Sequence, residues 1–245
     1  MDNPQPQRVA LVTGGAVRLG RALSLGLARA GYDLLVTYRS SAGPARELAD
    51  TVAALGRRCE LVSADLAEVR GGEAVAAAAR RTFGRVDLLV NSAASFDAGR
   101  LLDVDAERWD AVMALNVRAP HLLVRAVVDL LRRPSGSVVN IADLSAFQPW
   151  TEYPHHAVSK AALVQLTRVQ ARALAPEIRV NAVAPGAVLP PDSYSDDRQR
   201  TLAAATPLRR LGSPDDVVAA VLYLASADFV TGQVIAVDGG RLLAS

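Results

Sequence analysis

Short apolar runs and longer alanine-rich stretches alternate along the whole chain, and no other feature constrains its fold as tightly. The runs RVALVTGG, YDLLVTYRS, CELVSADL, VDLLVNSAA, GSVVNIADLS, IRVNAVAPG and GQVIAVDGG are rich in Val, Ile and Leu and read as buried strands. Between them, residues 19–30, 43–55, 72–83, 106–132 and 157–174 carry Ala, Leu, Arg and Glu, close on Gly or Pro, and read as helices. Strands that are apolar on both faces need cover on both faces, and a parallel strand reaches its neighbour through a crossover helix. The pattern predicts an α/β fold with a doubly wound parallel sheet. At 245 residues and 51% hydrophobic, the chain fills one sizeable core and is short for two, so residues 1–245 are expected to form a single domain.

The 27 Lys and Arg against 25 Asp and Glu are interleaved, and the formal charge of +2 leaves no basic stripe for nucleic acid or an anionic membrane. Charges recur too often for a membrane span. The single Cys59 excludes an internal disulfide framework, and the polar, proline-containing opening MDNPQPQR is unlike a signal peptide. A cytoplasmic protein is expected. The one long polar break, PPDSYSDDRQR at 190–200, reads either as a surface loop or as a small lid over a ligand.

VALVTGGAVRLGRAL places Gly14, Gly15 and Gly20 between the first strand and the first helix. Such a turn lets backbone N–H groups approach a pyrophosphate, and the positive end of the helix then holds the anion. With Asp65 closing a later strand, the turn predicts a dinucleotide. The second strand ends in TYRSS, with no carboxylate for a ribose 2′-hydroxyl; Arg39, Ser40 and Ser41 suit a 2′-phosphate instead, and Arg18 adds a second cation. The expected cofactor is therefore NADPH (NADP) rather than NAD.

With this turn, NSAA at 91–94, ALNVRAP at 114–120, a lysine-bearing helix and VAPGAV at 183–188, the chain resembles the short-chain dehydrogenase/reductase family over essentially its full length. Within that family it is most similar to the pteridine reductase branch. That branch has Arg where most relatives have the second glycine of the turn, as at Arg18. It also has a strand ending in Tyr or His followed by Arg-Ser, here Tyr38-Arg39-Ser40, and a segment like NSAASF at 91–96. Asp replaces the usual catalytic Ser, here Asp143 in VNIADLS. The resemblance implies a Rossmann-like fold in which Gly14, Arg18, Leu19 and Gly20 line the pyrophosphate and Arg39 and Ser40, after Tyr38, take the 2′-phosphate. It further implies that Asp65 and Leu66 border the adenine, that Asn91 and Ala93 pass the ribose, and that Pro185, Gly186 and Val188 lie beside the nicotinamide. Phe96 is implied to stack on a flat substrate ring, Lys160 to bind the nicotinamide ribose, and Asn116 to hold a water in a proton relay, although a buried amide there also has a purely structural reading.

The family's catalytic Tyr falls thirteen residues after Asp143, where this chain has His156, and its Lys falls at Lys160. A spacing of four puts both on one helical face, so the register is kept and the acid is changed. An imidazole titrates near pKa ~6.5, and a neighbouring ammonium disfavours its protonated form. Two remedies are legible. Asp143 facing His156 would favour the imidazolium, or the phenol of Tyr153 would reach the substrate in its place. A metal on His155 and His156 is not expected, because adjacent residues diverge on a helix and His121 lies in another segment. The reading is an NADPH-dependent reductase of a planar C=N or C=O small-molecule substrate. A 3-oxoacyl or other carbonyl reductase and a catalytically silent NADPH-binding protein are the alternatives. The resemblance implies a homotetramer built partly on 106–132 and 157–174, and the wide apolar circumference of KAALVQLTRVQARALA is compatible with that.

Overall fold

Each apolar run of the sequence becomes a strand. The computed structural model describes residues 7–131, 136–190 and 194–244; the opening residues 1–6, the predicted helix end at 132 and positions 191–193 of the polar break lie outside the described residues. The strands are β1 (Arg8–Val12), β2 (Tyr32–Tyr38), β3 (Cys59–Ser63), β4 (Leu88–Asn91), β5 (Gly136–Ile141), β6 (Ile178–Pro185) and β7 (Val234–Val237). Among the described residues they form one sheet of seven parallel strands in the order β3-β2-β1-β4-β5-β6-β7. The chain runs outward from β1 to β3 and then returns to the other side of β1, so the order reverses between β1 and β4. Val12 pairs with Val36 on one side and with Val90 on the other. A crevice opens at the carboxyl ends of the strands at such a reversal, and ligands bind there in open α/β sheets.

The period-2 alternation of the strands divides the core into two layers. Ala10, Val12, Leu34 and Val90 face α1 (Arg18–Arg29), α2 (Ala42–Ala54) and α8 (Pro214–Ser226). Leu11, Leu35, Leu89 and Val138 face the other way, onto α3 (Gly71–Thr82) and α5 (Ala119–Leu131), with part of α6 (Pro154–Leu174). Helices α4 (Ala106–Met113) and α7 (Asp196–Ala204) complete the set among the described residues. The doubly wound, single-domain α/β fold expected from the sequence is the fold observed.

The structure differs from the sequence expectation at four places. The predicted helix 106–132 is broken: a π-helical turn, Ala114–Arg118, separates α4 from α5. Its cause is Pro120, which has no N–H to give the carbonyl of Asn116 four residues earlier. Helix α6 begins at Pro154, three residues before the predicted start, because proline at the first helical position is preset in φ and needs no N–H partner. Half of the polar break is helical, since Ser195 caps α7 by accepting from the Arg198 N–H. Helix α8, which the periodicity reading left unnamed, starts at a capping box: the Ser213 side chain accepts from the Asp216 N–H and the Asp216 carboxylate accepts from the Ser213 N–H.

The stretch Ala106–Leu131 is long and apolar enough by length and composition to cross a membrane. Its apolar side chains Leu123, Val127 and Leu131 instead pack against Val75, Ala79 and Leu89 inside the domain.

Candidate active site

A cleft of about 930 Å³ lies over the carboxyl ends of β1, β4, β5 and β6. It collects nearly every residue singled out from the sequence. Gly14, Arg18, Leu19, Gly20, Tyr38, Arg39, Ser40, Asp65, Leu66, Ala93, Pro185, Gly186 and Val188 line one part, and Phe96, Asp143, Tyr153, His156 and Lys160 line the other. Asn91 and Asn116 do not line it. Asn91 is buried and donates to Asn140 Oδ1 at 2.8 Å. Asn116 is committed as well: its Nδ2 donates to the Ser95 carbonyl (3.1 Å) and to Ser159 Oγ (2.9 Å), and its Oδ1 accepts from the Ser95 N–H (2.8 Å). With both amide hydrogens used, the side chain clamps Ser95.

Two threonines tie the strand ends together. Thr13 Oγ1 accepts from the Ser92 and Ala93 N–H groups at 2.9 and 3.0 Å, and Thr37 Oγ1 accepts from the Gly14 N–H at 3.2 Å. The glycine turn is then pressed against its neighbours. Gly14 has φ +61, and a Cβ there would meet Ala93 Cα at 3.0 Å; a Cβ on Gly20 would overlap the Gly14 carbonyl. Gly20→Ala is therefore expected to disrupt the turn, seen as a fall in thermal midpoint of at least several degrees on the scale of about 1 kcal/mol per 2–4 °C for a chain of this size.

Arg39 is 69% exposed and pairs with Asp65 only at 3.8 Å. Such a loose exposed pair contributes little and leaves the guanidinium free for another anion. Arg18, at φ +49 in the left-handed region, turns away from that end and donates to the Leu189 carbonyl across the cleft at 2.9 Å. The second cation expected beside Arg39 is thus spent on the opposite rim, and Arg18 keeps only its place along the glycine turn.

The chemistry concentrates around His156. Its Nδ1 lies 2.9 Å from the Ser95 carbonyl, an acceptor only, so Nδ1 carries hydrogen. Its Nε2 lies 2.5 Å from Asp143 Oδ2, with one proton held between the two atoms. Asp143 Oδ1 accepts from the Ser145 N–H at 2.9 Å and from the Ser145 hydroxyl. Burial alone would raise the Asp143 pKa. The His156 hydrogen bond, the Lys160 charge beyond it and the Ser145 hydrogen bond outweigh that and hold the carboxyl below its ordinary value. Lys160, the only lysine in the chain, is buried and donates to the Ile141 carbonyl at 2.8 Å. Burial pushes its pKa down, opposed by the Asp143 charge.

His156 is 2% exposed and both ring nitrogens are engaged, whereas the Asp143 side chain is 18% exposed to the cleft. The polar atom that faces a ligand is thus a carboxyl oxygen, and the histidine stands behind it. Tyr153 is the N-cap residue of α6 rather than a member of its helical face, and its ring stacks on Phe96 (centroids 4.3 Å apart, planes at 21°). Phe96 also meets the His156 ring edge-on at 4.8 Å and Trp150 at 6.5 Å. One face of Phe96 is thus covered by Tyr153. The adjacent histidines diverge as expected, His155 to Asp97 and His156 to Asp143.

The sequence reading missed several contributors. The Ser95 and Ile141 carbonyls act through the main chain, which no side-chain motif reports. Thr13 and Thr37 were legible as residues following or ending strands but carry no distinctive spacing. Leu202, Thr206 and Arg241 reach the cleft from α7 and beyond, while Tyr194 reaches it from the polar break that the sequence offered as a loop or a lid.

Comparisons with known proteins agree with this architecture. A family model described as enoyl-(acyl carrier protein) reductase matches residues 15–241. An uncharacterised oxidoreductase of Mycobacterium tuberculosis is 37% identical, covering 95% of this chain and 91% of its own. The short-chain dehydrogenase/reductase FrzI of a Cladobotryum species is 33% identical, covering 97% and 98%. The crystal structure of FolM alternative dihydrofolate reductase 1 from Brucella canis, complexed with NADP, superposes with a TM-score of 0.89 at 34% identity, over 97% of this chain and 95% of that one. Sequence, sheet order and cleft converge on one assignment: the chain belongs to the short-chain dehydrogenase/reductase family of oxidoreductases.

Proposed function

We propose that this chain is an NADPH-dependent reductase of a planar C=N or C=O substrate, resembling pteridine reductases, in which Asp143 passes the proton and His156 supplies it. The observation that carries the reading is the double engagement of His156, with Nδ1 fixed on the Ser95 carbonyl and Nε2 on Asp143. A buried imidazole needs partners in any case; what a structural histidine does not need is a partner carboxyl that itself opens to the cleft, as Asp143 does. The residues present fit the cofactor: the turn at Gly14 and Gly20 has no room for a Cβ, and Arg39, Ser40 and Ser41 offer cation and hydroxyls with no carboxylate at the end of β2. The likeness to an NADP-complexed structure supports the same choice. When bound, NADPH supplies hydride; the chain's own part is to hold the substrate ring near Phe96, exclude water and deliver a proton. Lys160 would hold the nicotinamide ribose and keep the Asp143 carboxyl charged in its resting state.

The pair holds one proton and turnover consumes it, so the rate is expected to rise with acidity. The test is NADPH oxidation with dihydrobiopterin over about pH 4.5 to 8.5, the range that spans an imidazole-linked switch. His156→Tyr is expected to keep or gain turnover, with the low-pH rise abolished or moved. A rate independent of pH in the wild type and an unchanged profile in the variant would remove His156 from the account.

A 33% identical relative named 2-dehydro-3-deoxy-D-gluconate 5-dehydrogenase, from Dickeya dadantii, favours a second reading, a carbonyl or 3-oxoacyl reductase; a panel of ketones set against dihydrobiopterin separates the two. Tight NADPH binding with no oxidation across both panels would leave the catalytically silent reading. A homotetramer in the cytoplasm completes the proposal, supported by Val158 and Val169 exposed on α6. Light scattering on the purified chain tests the assembly.

A further inference from the structure

Phe96 is 54% exposed, so the Tyr153, His156 and Trp150 rings hold only part of it and its position depends also on the backbone on either side. Both sides are anchored. Ser95 is held by Asn116 and by His156. Asp97 Oδ2 lies 3.1 Å from His155 Nε2 and accepts from Arg108 Nε at 2.9 Å, with Arg108 Nη2 2.7 Å away in the ion pair. The same guanidinium donates to the Ala98 carbonyl at 2.5 Å, and the Gly99 N–H donates to the Glu152 carbonyl at 2.8 Å. Adjacent helical residues leave the axis about 100° apart. His155 and His156 therefore take opposite flanks of Phe96, His156 through Ser95 and His155 through Asp97.

We propose that His155, Asp97 and Arg108 form a positioning cluster that fixes the Phe96 ring on Tyr153 and thereby sets the preference for flat-ring substrates. The proposal rests on the reading of the cleft as a flat-ring site. The cluster draws on three separate segments, the loop after β4, the first turn of α4 and the first turn of α6, and shares no atom with the Asp143–His156 proton pair. The Asp97 carboxyl is held below its ordinary value by the His155 hydrogen bond and then by Arg108, so it stays charged and gripped at neutral pH. A ring fixed before the ligand arrives spares the ligand the loss of order on binding.

The experiment measures KM and kcat for dihydrobiopterin, together with near-UV and far-UV circular dichroism, in Asp97→Ala, Asp97→Asn and Arg108→Met, each with Phe96 intact and with Phe96→Ala. Asp97→Ala and Arg108→Met are expected to raise KM about two- to tenfold, the range of one aromatic contact, with kcat within about twofold. Asp97→Asn, which can still accept from Arg108, should fall between these and the wild type. In the Phe96→Ala background none should have a further effect, because the cluster acts only through that ring. The near-UV aromatic signal should weaken while the far-UV spectrum is retained. A fall in kcat at unchanged KM, or additive effects with Phe96→Ala, would overturn the proposal. Where Asp97→Ala fails to fold, Arg108→Met carries the same expectations from a partly exposed side chain. Where the wild type does not turn over dihydrobiopterin, the flat-ring reading fails by itself. The near-UV signal still decides the cluster: unchanged in Arg108→Met, it refutes a grip on the Phe96–Tyr153 stack, and weakened, it upholds that grip.

Discussion

Asp143→Ala is expected to lower NADPH oxidation with dihydrobiopterin by about 10²- to 10⁴-fold, the range attributed to one positioned acid, while the dissociation constant for NADPH changes little. The size of the effect follows from the geometry. His156 has no polar atom left for the cleft, so removing Asp143 breaks the only hydrogen-bonded path from the imidazole to a ligand. The same change leaves Lys160 buried without its counter-charge and pushes its pKa down further. Asp143→Asn keeps the shape and loses the proton path, so it should be nearly as slow as the alanine variant; a near-normal rate in Asp143→Asn would mean that the proton comes from elsewhere. The acid stability of the fold should shift too. Because the folded Asp143 pKa lies below its unfolded value, the pair stabilises the fold above the unfolded value of about 3.9, and this is lost as pH falls through the folded pKa. Asp143→Asn should lack that part of the acid-unfolding profile in a denaturant titration followed across pH.

Arg39→Ala is expected to reduce kcat/KM with NADPH by about 10- to 100-fold and leave NADH almost unaffected, since one charge-assisted contact to a phosphate contributes about 1.5–3 kcal/mol. The exposure of Arg39 and its loose 3.8 Å pairing mean that nothing else in the fold depends on it. The pairing also makes the loss larger than that of a lone cation. Without Arg39 the Asp65 carboxylate is left at the same end of the cleft with nothing to offset it, and it repels a 2′-phosphate. Steady-state rates with both cofactors at two ionic strengths check this: the wild-type preference for NADPH should weaken with salt, whereas the variant, in which salt screens the Asp65 repulsion, should shift towards NADPH. Equal losses with NADPH and NADH would place Arg39 in the turn's general architecture instead of at the 2′-phosphate.

The fold was legible because its evidence is periodic. Seven apolar runs and the helices between them carry their own signal, and the parallel sheet follows from their spacing. The register of Asp143, His156 and Lys160 was legible for the same reason, as a count along the chain. What escaped depended on atoms that have no letter in the sequence or on local exceptions to periodicity. The Ser95 carbonyl determines which nitrogen of His156 is committed, and no side-chain pattern announces a carbonyl. Pro120 converts the predicted long helix into two around a π-helical turn, and that turn aims Asn116 at Ser95. Arg18 was read as a partner of Arg39 because both are cations near one turn. Its contact with Leu189, 171 residues away in sequence, is a tertiary choice that local reasoning does not reach. Pro154 was the recoverable case: taken as the first helical residue, it places Tyr153 off the helix and removes it from the face shared by His156 and Lys160.

The solitary lysine has a consequence for how the protein comes apart. Every other basic side chain is an arginine or a histidine, so a lysine-specific protease has a single internal target, the bond after residue 160. That bond is sealed within α6 beneath the cofactor cleft. Cleavage into fragments 1–160 and 161–245 therefore reports one event, the opening of this helix, and its rate counts the molecules whose cleft has come undone. A ligand that fills the cleft should slow the cut in proportion to its occupancy, so the fold carries its own binding assay in the one residue type it uses only once.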